Sequence, residues 1–175
     1  MEITSTASFL PYWDNIRART VRVAEHIPPE DLEWRTGGGF SFGDLLRHLG
    51  SIERYMFAEN ARGLPSRYPG HGRELADGYA AVMTYLRTMH AEAVAIFMGL
   101  GPDELRALCT TPGGATLPVW KWLRAMVEHE VHHRGQLYLM LRIIGVPTPP
   151  LYGLTSEEVR ARSQPLDTAG HTQVE

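Results

Sequence analysis

The stretch LPVWKWLRAMVEHEVHHRGQLYLMLRII, residues 117–144, decides the fold. Pro118 stands near its first turn, and Gly145 and then Pro147 follow its end, the proline-in, glycine-out asymmetry of helix termini. At about 100° per residue, Trp122, Met126, His129, His133, Met140 and Ile144 fall in one apolar stripe about 60° wide. A helix this long with one apolar face has to bury that face against other elements.

The rest of the chain supplies three partners. Residues 8–27 carry Phe9, Trp13, Ile16, Val23 and Ile27 at mostly helical spacings and stop at Pro28 and Pro29. Residues 41–61 open with Ser41 and Asp44, a capping arrangement that satisfies free N–H groups, and end at Gly63 and Pro65. Residues 74–98 repeat Tyr79, Val82, Leu86, Met89, Ala93 and Phe97 at three- and four-residue steps, until Gly99, Gly101 and Pro102 interrupt them. No strand pattern competes, so residues 67–73 and 103–116 read as irregular connections and 155–162 as a short terminal helix. The expectation is an all-α four-helix bundle over residues 1–165, with 166–175 as a flexible tail.

Composition narrows the function classes. A chain of 175 residues with 43% hydrophobic and 21% charged residues fits one compact domain and excludes a disordered chain or a collagen. Seventeen Lys and Arg against 20 Asp and Glu leave a net charge of −3 with no basic run, so nucleic acid is not an expected partner. No segment approaches the roughly 20 apolar residues of a membrane span, and Met1 to Phe9 do not resemble a secretory signal. Cys109 is the single cysteine, which excludes an internal disulfide and suits a reducing cytoplasm. It lies in a connection with no neighbouring His, so it is not expected to be a nucleophile. Gly37 to Gly39 follow no strand and lack a Lys-Ser/Thr pair, so they do not make a phosphate loop.

His129-Glu130-Val131-His132-His133 carries the chemistry, because two imidazoles one helical turn apart can share a metal ion. His129 and His133 lie on the inward stripe, whereas His132 falls off it beside Lys121 and Glu128. A third ligand is needed from a facing helix. His48 is the candidate, at the edge of the face formed by Leu45, Leu49, Ile52 and Met56, with His90 as its rival and as an equally good buried structural histidine. His26, His71 and His171 are assigned to loops or tails. Three histidines leave a coordination position open for water or substrate, whereas a closed structural site wants a fourth protein ligand.

Glu130 is a candidate general base, with an ion pair to Arg134 one turn later as the alternative. Gln136 and Tyr55 are candidates for positioning substrate, though packing or capping would also account for them. A peptidase is disfavoured, since beyond His133 only Glu157, Glu158 and His171 remain as a downstream ligand and no sheet edge holds a peptide. Leu46 and Phe57 point away from the main buried face on a regular helix, which suggests an apolar patch for dimerisation.

The run His129-Glu-Val-His-His-Arg-Gly-Gln-Leu137, with Leu141-Arg-Ile-Ile-Gly145 and Leu151-Tyr-Gly153 after it, resembles the DinB-like (damage-inducible) family of bacterial four-helix-bundle proteins. In the same comparison, His48 within Leu45-Leu-Arg-His-Leu-Gly-Ser-Ile-Glu-Arg54 matches the first metal-ligand position, and His129 and His133 match the later pair. The resemblance implies an up-down-down-up bundle, a divalent metal such as Zn²⁺ or Ni²⁺ on three histidines, and a homodimer. It also implies kinship with S-transferases and isomerases that use bacillithiol, mycothiol or glutathione. The expected function is a cytoplasmic metal-dependent transferase that activates a low-molecular-weight thiol against an electrophilic small molecule. A metal-dependent hydrolase and a non-catalytic metal-binding stress-response protein are the alternatives.

Overall fold

The computed structural model describes residues 2–164. Helix α1 spans Thr6–Ala24, and α2 begins at Phe42, runs to Ile52, and continues through a π-helical turn, Glu53–Phe57, into α3, Ala58–Ala61. Helix α4 covers Tyr79–Met98 and a short α5 covers Pro102–Arg106. Strands β1, Leu108–Thr110, and β2, Thr116–Pro118, lead into the long α6, Val119–Ile143, and α7, Ser156–Arg162, closes the described part. The proposed tail, residues 166–175, and His171 lie outside the described residues.

Two apolar clusters fix the helix directions. One gathers Phe9 and Trp13 from the start of α1, Ala58 and Ala61 from α3, Phe97 from the end of α4, and Leu123 from the start of α6. The other gathers Val23 from the end of α1, Leu45 from the start of α2, Val82 from the start of α4, and Leu141 from the end of α6. Helices α1 and α6 therefore run one way and α2 and α4 the other, giving the up-down-down-up order. Parallel neighbours α2 and α4 need a long crossover, which residues 62–78 provide.

The start of α2 is capped as its sequence requires: the Ser41 hydroxyl accepts from the Asp44 N–H at 3.0 Å, and Asp44 Oδ2 accepts from the Ser41 N–H at 3.0 Å. A cap of this kind contributes about 1 kcal/mol. Helix α4 starts at Tyr79 and not at residue 74, because Gly78 takes φ +82°, a left-handed conformation that ends helical continuity.

Two further expectations are corrected. The connection 103–116, read as irregular, contains α5 and β1, and β1 pairs antiparallel with β2, with Cys109 opposite Leu117. Three-residue strands are too short to leave an alternating pattern in the sequence. The Leu46 and Phe57 patch is not at the surface, since both side chains are buried in the two cores. Leu46 is covered because α2 is enclosed by α4 on one side and α6 on the other. Phe57 turns inward because the π-helical turn takes an extra residue and sets the phase back by up to about 100°.

No helix of the described residues is long and apolar enough to cross a membrane. A buried polar layer separates the two apolar clusters, formed by Arg17, Thr20, Glu53, Glu130 and Arg134 together with His48 and His133. The site lies in this layer.

Candidate metal centre

Three imidazoles meet between α2 and α6. His48 Nε2 lies 3.0 Å from His129 Nε2, and His133 Nε2 lies 3.1 Å from the same atom. Among the described residues these three form the cluster whose ligand atoms all lie within 4.8 Å of one another. The spacing of His129 and His133 puts both rings on one face of α6, one turn apart.

Hydrogen bonds on the far side of His133 and His48 hold those rings with Nε2 toward the cluster. His133 Nδ1 lies 2.7 Å from Gln136 Oε1, a pure acceptor, so Nδ1 carries the proton and Nε2 presents a lone pair. Gln136 keeps this orientation because its amide nitrogen donates to His132 Nε2 at 3.3 Å. His48 Nδ1 lies 2.8 Å from the Tyr68 hydroxyl, whose oxygen in turn lies 3.1 Å from His71 Nδ1.

Three nitrogens at this separation cannot all be satisfied by one another, because His129 Nε2–H can donate to only one of two facing lone pairs. A divalent cation accepts all three. A zinc ion with Zn–N bonds of about 2.0–2.1 Å spaces tetrahedral nitrogens about 3.3 Å apart, close to the separations observed. The donor set therefore fits such an ion, and among the described residues no fourth side chain joins the three.

The electrostatics agree. Burial, with His133 and His71 next in effect, pushes His48 down to about 4, and burial with His133, His48, His132 and Arg17 pushes His129 down to about 3. Burial also lowers His133, opposed by its bond to Gln136. All three are neutral near pH 7, the form in which imidazole can bind a metal. Phe40 packs 5.4 Å from the His48 ring and 6.2 Å from the His133 ring, and Phe57 packs 5.8 Å from His129, so apolar walls enclose two sides.

The other sequence candidates divide. Gln136 touches the centre through His133. Tyr55 makes no hydrogen bond to the triad among the described residues, and its ring lies under the Arg54 guanidinium at 5.0 Å. Glu130 faces α1, where its Oε2 is 3.3 Å from Arg17, so the expected pairing with Arg134 is corrected: Arg134 donates instead to the Ile16 carbonyl at 3.1 Å. One residue on from His129, Glu130 is turned about 100° away from the ligands. Burial raises its carboxyl, with Arg17 opposing. Arg17 also pairs with Glu53, which accepts from Trp13 Nε1 at 2.7 Å and bonds His90 Nδ1 at 2.8 Å, so His90 is a structural histidine and not a ligand.

Tyr68 and His71 are the residues that sequence reasoning missed. Both lie in the crossover, whose irregular sequence carries no periodicity to place them, and His71 was assigned to the surface. A tyrosine and a histidine three residues apart, opposite a histidine at a helix edge, is the only trace of the contact.

Comparison with solved structures gives the same architecture. A DinB-like protein from Bacillus cereus ATCC 10987 aligns with a TM-score of 0.66 at 19% identity, covering 82% of this chain and 95% of its own. A DinB-like protein from Bacillus subtilis aligns at 0.62 and 22% identity, covering 77% and 90%. A histidine-to-alanine mutant of the mycothiol-dependent maleylpyruvate isomerase aligns at 0.58 and 12% identity, covering 77% of this chain and 63% of its own. No curated protein sequence matches the chain. The profile of the DinB superfamily matches residues 12–137, well over half of the sequence, and the chain belongs to that superfamily.

Proposed function

We propose that the protein is a metal-dependent transferase that joins a low-molecular-weight thiol to an electrophilic small molecule. The observation that carries this reading is the convergence of three neutral imidazoles with no fourth ligating side chain among the described residues, which would leave a bound ion a position for an exchangeable ligand. The mycothiol-dependent isomerase among the structural neighbours supports a thiol as that ligand.

His48, His129 and His133 would hold the ion, Zn²⁺ or Ni²⁺, which supplies Lewis acidity that brings a thiol or water toward deprotonation at neutral pH. Tyr68 and Gln136 hold the ligand rings in the orientation that presents Nε2. Phe40 and Phe57 keep water from the flanks, which strengthens the electrostatics inside. With an epoxide, the thiol sulfur bonds to a ring carbon as the carbon–oxygen bond breaks, and the thiol proton ends on the released oxygen. Glu130, locked against Arg17, positions α6 and takes no proton in this scheme.

The test is turnover of monochlorobimane or an epoxide by zinc- or nickel-loaded protein with a panel of small thiols. Rates above those of His133→Ala are expected with at least one thiol, and no excess with any of them overturns the reading. One observation favours a second role: the triad joins α2 to α6 across the bundle, so a bound ion also staples the fold. Chelation separates the two, because a staple melts the helices when the ion leaves whereas a catalytic ion takes only the activity.

A further inference from the structure

A groove of about 570 Å³ opens beside the metal centre. Its walls are Arg35 and Phe40 from the loop before α2, His71 from the crossover, and Gln136, Leu139 and Ile143 from α6. Three of these touch the triad or its supports: Phe40 packs on His48, Gln136 holds His133, and His71 meets Tyr68. The groove is therefore separated from the three histidines by single side chains, Phe40 and Gln136. Leu139 and Ile143, 59% and 55% exposed and one helical turn apart, give it a wall that favours an apolar body.

Two charged side chains line the groove, Arg35 and Asp44, and both belong to a cluster of ion pairs behind it. Three guanidinium groups, Arg35, Arg47 and Arg73, share two carboxylates, Glu33 and Asp44. Arg47 is fully buried and bonds both carboxylates, at 3.1 Å for Asp44 Oδ1. Asp44 Oδ2 is already taken by the Ser41 N–H at 3.0 Å, so the 3.3 Å contact to Arg35 is its weakest. Arg35 is half exposed and lines the groove, and this 3.3 Å contact is to its one carboxylate partner among the described residues, so of the three guanidinium groups it is the one that faces a ligand there. Asp44 also lines the groove, but with both oxygens engaged it adds little repulsion.

His71 adds a donor at the inner end. If His48 Nε2 faces the ion, His48 Nδ1–H donates to the Tyr68 oxygen and the Tyr68 hydroxyl donates to His71 Nδ1, which leaves the His71 proton on Nε2.

We infer that this groove binds a small organic carboxylate, with the carboxylate on Arg35, the apolar body against Leu139 and Ile143, and the far end beside His71 and the metal centre. Its use as the acceptor site rests on the proposed transfer reaction, whereas the binding itself needs neither the metal nor turnover.

The experiment is a titration of ¹⁵N-labelled protein with hexanoate and with hexanamide, in metal-free and zinc-loaded forms, followed at the Gln136 side-chain amide and the Gly38 and Gly39 backbone amides. Hexanoate is expected to shift these signals in both forms and to bind about tenfold tighter than hexanamide, the size of one charge-assisted hydrogen bond. Arg35→Gln removes that preference, and Leu139→Asp weakens both ligands; both positions are exposed enough that melting curves should match the wild type. Equal binding of acid and amide, an Arg35→Gln variant that keeps the preference, or no shift with either probe overturns the inference. Hexanoate binding seen only with zinc places the carboxylate on the ion and overturns it too. A protein that binds hexanoate through Arg35 yet turns over no thiol would refute the proposed reaction alone.

Discussion

The Tyr68 hydroxyl lies 2.8 Å from His48 Nδ1, so a residue of the crossover holds the far side of the α2 imidazole whose Nε2 faces His129. Burial pushes this phenol up to about 12, which keeps it protonated and able to accept from His48 while donating to His71. Tyr68→Phe keeps the ring and removes the oxygen. Zinc affinity, read by competition with a chromogenic chelator, is expected to fall about 10- to 100-fold with the helical content unchanged. Wild-type affinity in this variant would show that His48 needs no such support.

Ligand removal is expected to have a graded effect. His48→Ala or His133→Ala leaves two imidazoles, so tight binding of one zinc per chain, measured by elemental analysis after dialysis, should be lost in either variant. His132→Ala should retain it, since His132 is exposed and touches Gln136 and the His133 ring without joining the three converging nitrogens. Ion binding at 100 times its dissociation constant stabilises the fold by about 2.7 kcal/mol, so adding zinc should raise the melting temperature of wild type and His132→Ala but not of the two ligand variants.

The buried pairing of Arg17 with Glu53 and Glu130 predicts an asymmetric mutational response. Arg17→Met strands two carboxylates in the core and should cost about 3–5 kcal/mol in urea unfolding. Glu130→Gln should cost less, because burial already disfavours its charge. If Glu130 only positions α6, thiol transfer by Glu130→Gln stays within a few-fold of wild type with an unshifted pH profile. A large fall in kcat with normal zinc content would restore it as a base.

The helices were legible because their signals are local and repeated: Tyr79 through Phe97 recur at helical steps, Gly145 and Pro147 mark an end, and Ser41 with Asp44 marks a start. The convergence of the three histidines was legible for the same reason, since helical phase alone turns His129 and His133 inward and places His48 at an edge facing them. Phe57 was misread because a π-helical turn shifts phase without changing composition. Glu130 shows a different failure. Its neighbours in sequence offered Arg134 as a partner, but Arg17 on another helix is the one it meets, and such tertiary pairing leaves no spacing to read. His71 and Tyr68 belong to a crossover whose path is set by the parallel arrangement of α2 and α4.

The α2 cap ties the fold to pH through Asp44. Burial opposes its charge, but the Ser41 backbone N–H, the Ser41 hydroxyl and Arg47 outweigh burial and hold the carboxyl below the ordinary carboxylate range. A carboxyl whose folded value is depressed contributes stability that is present above its unfolded value of about 3.9 and is lost as pH falls through the folded value. Asp44→Asn retains a side-chain oxygen for the Ser41 N–H but loses the charge that meets Arg47. The wild type should therefore exceed Asp44→Asn in unfolding free energy by a constant margin above about pH 5, and the two should converge as the pH drops below about 4. Urea midpoints between pH 3 and 7 on metal-free protein check this, since the triad then contributes no bound ion to either curve. A margin that stays constant into acid would mean that Asp44 acts only through its shape.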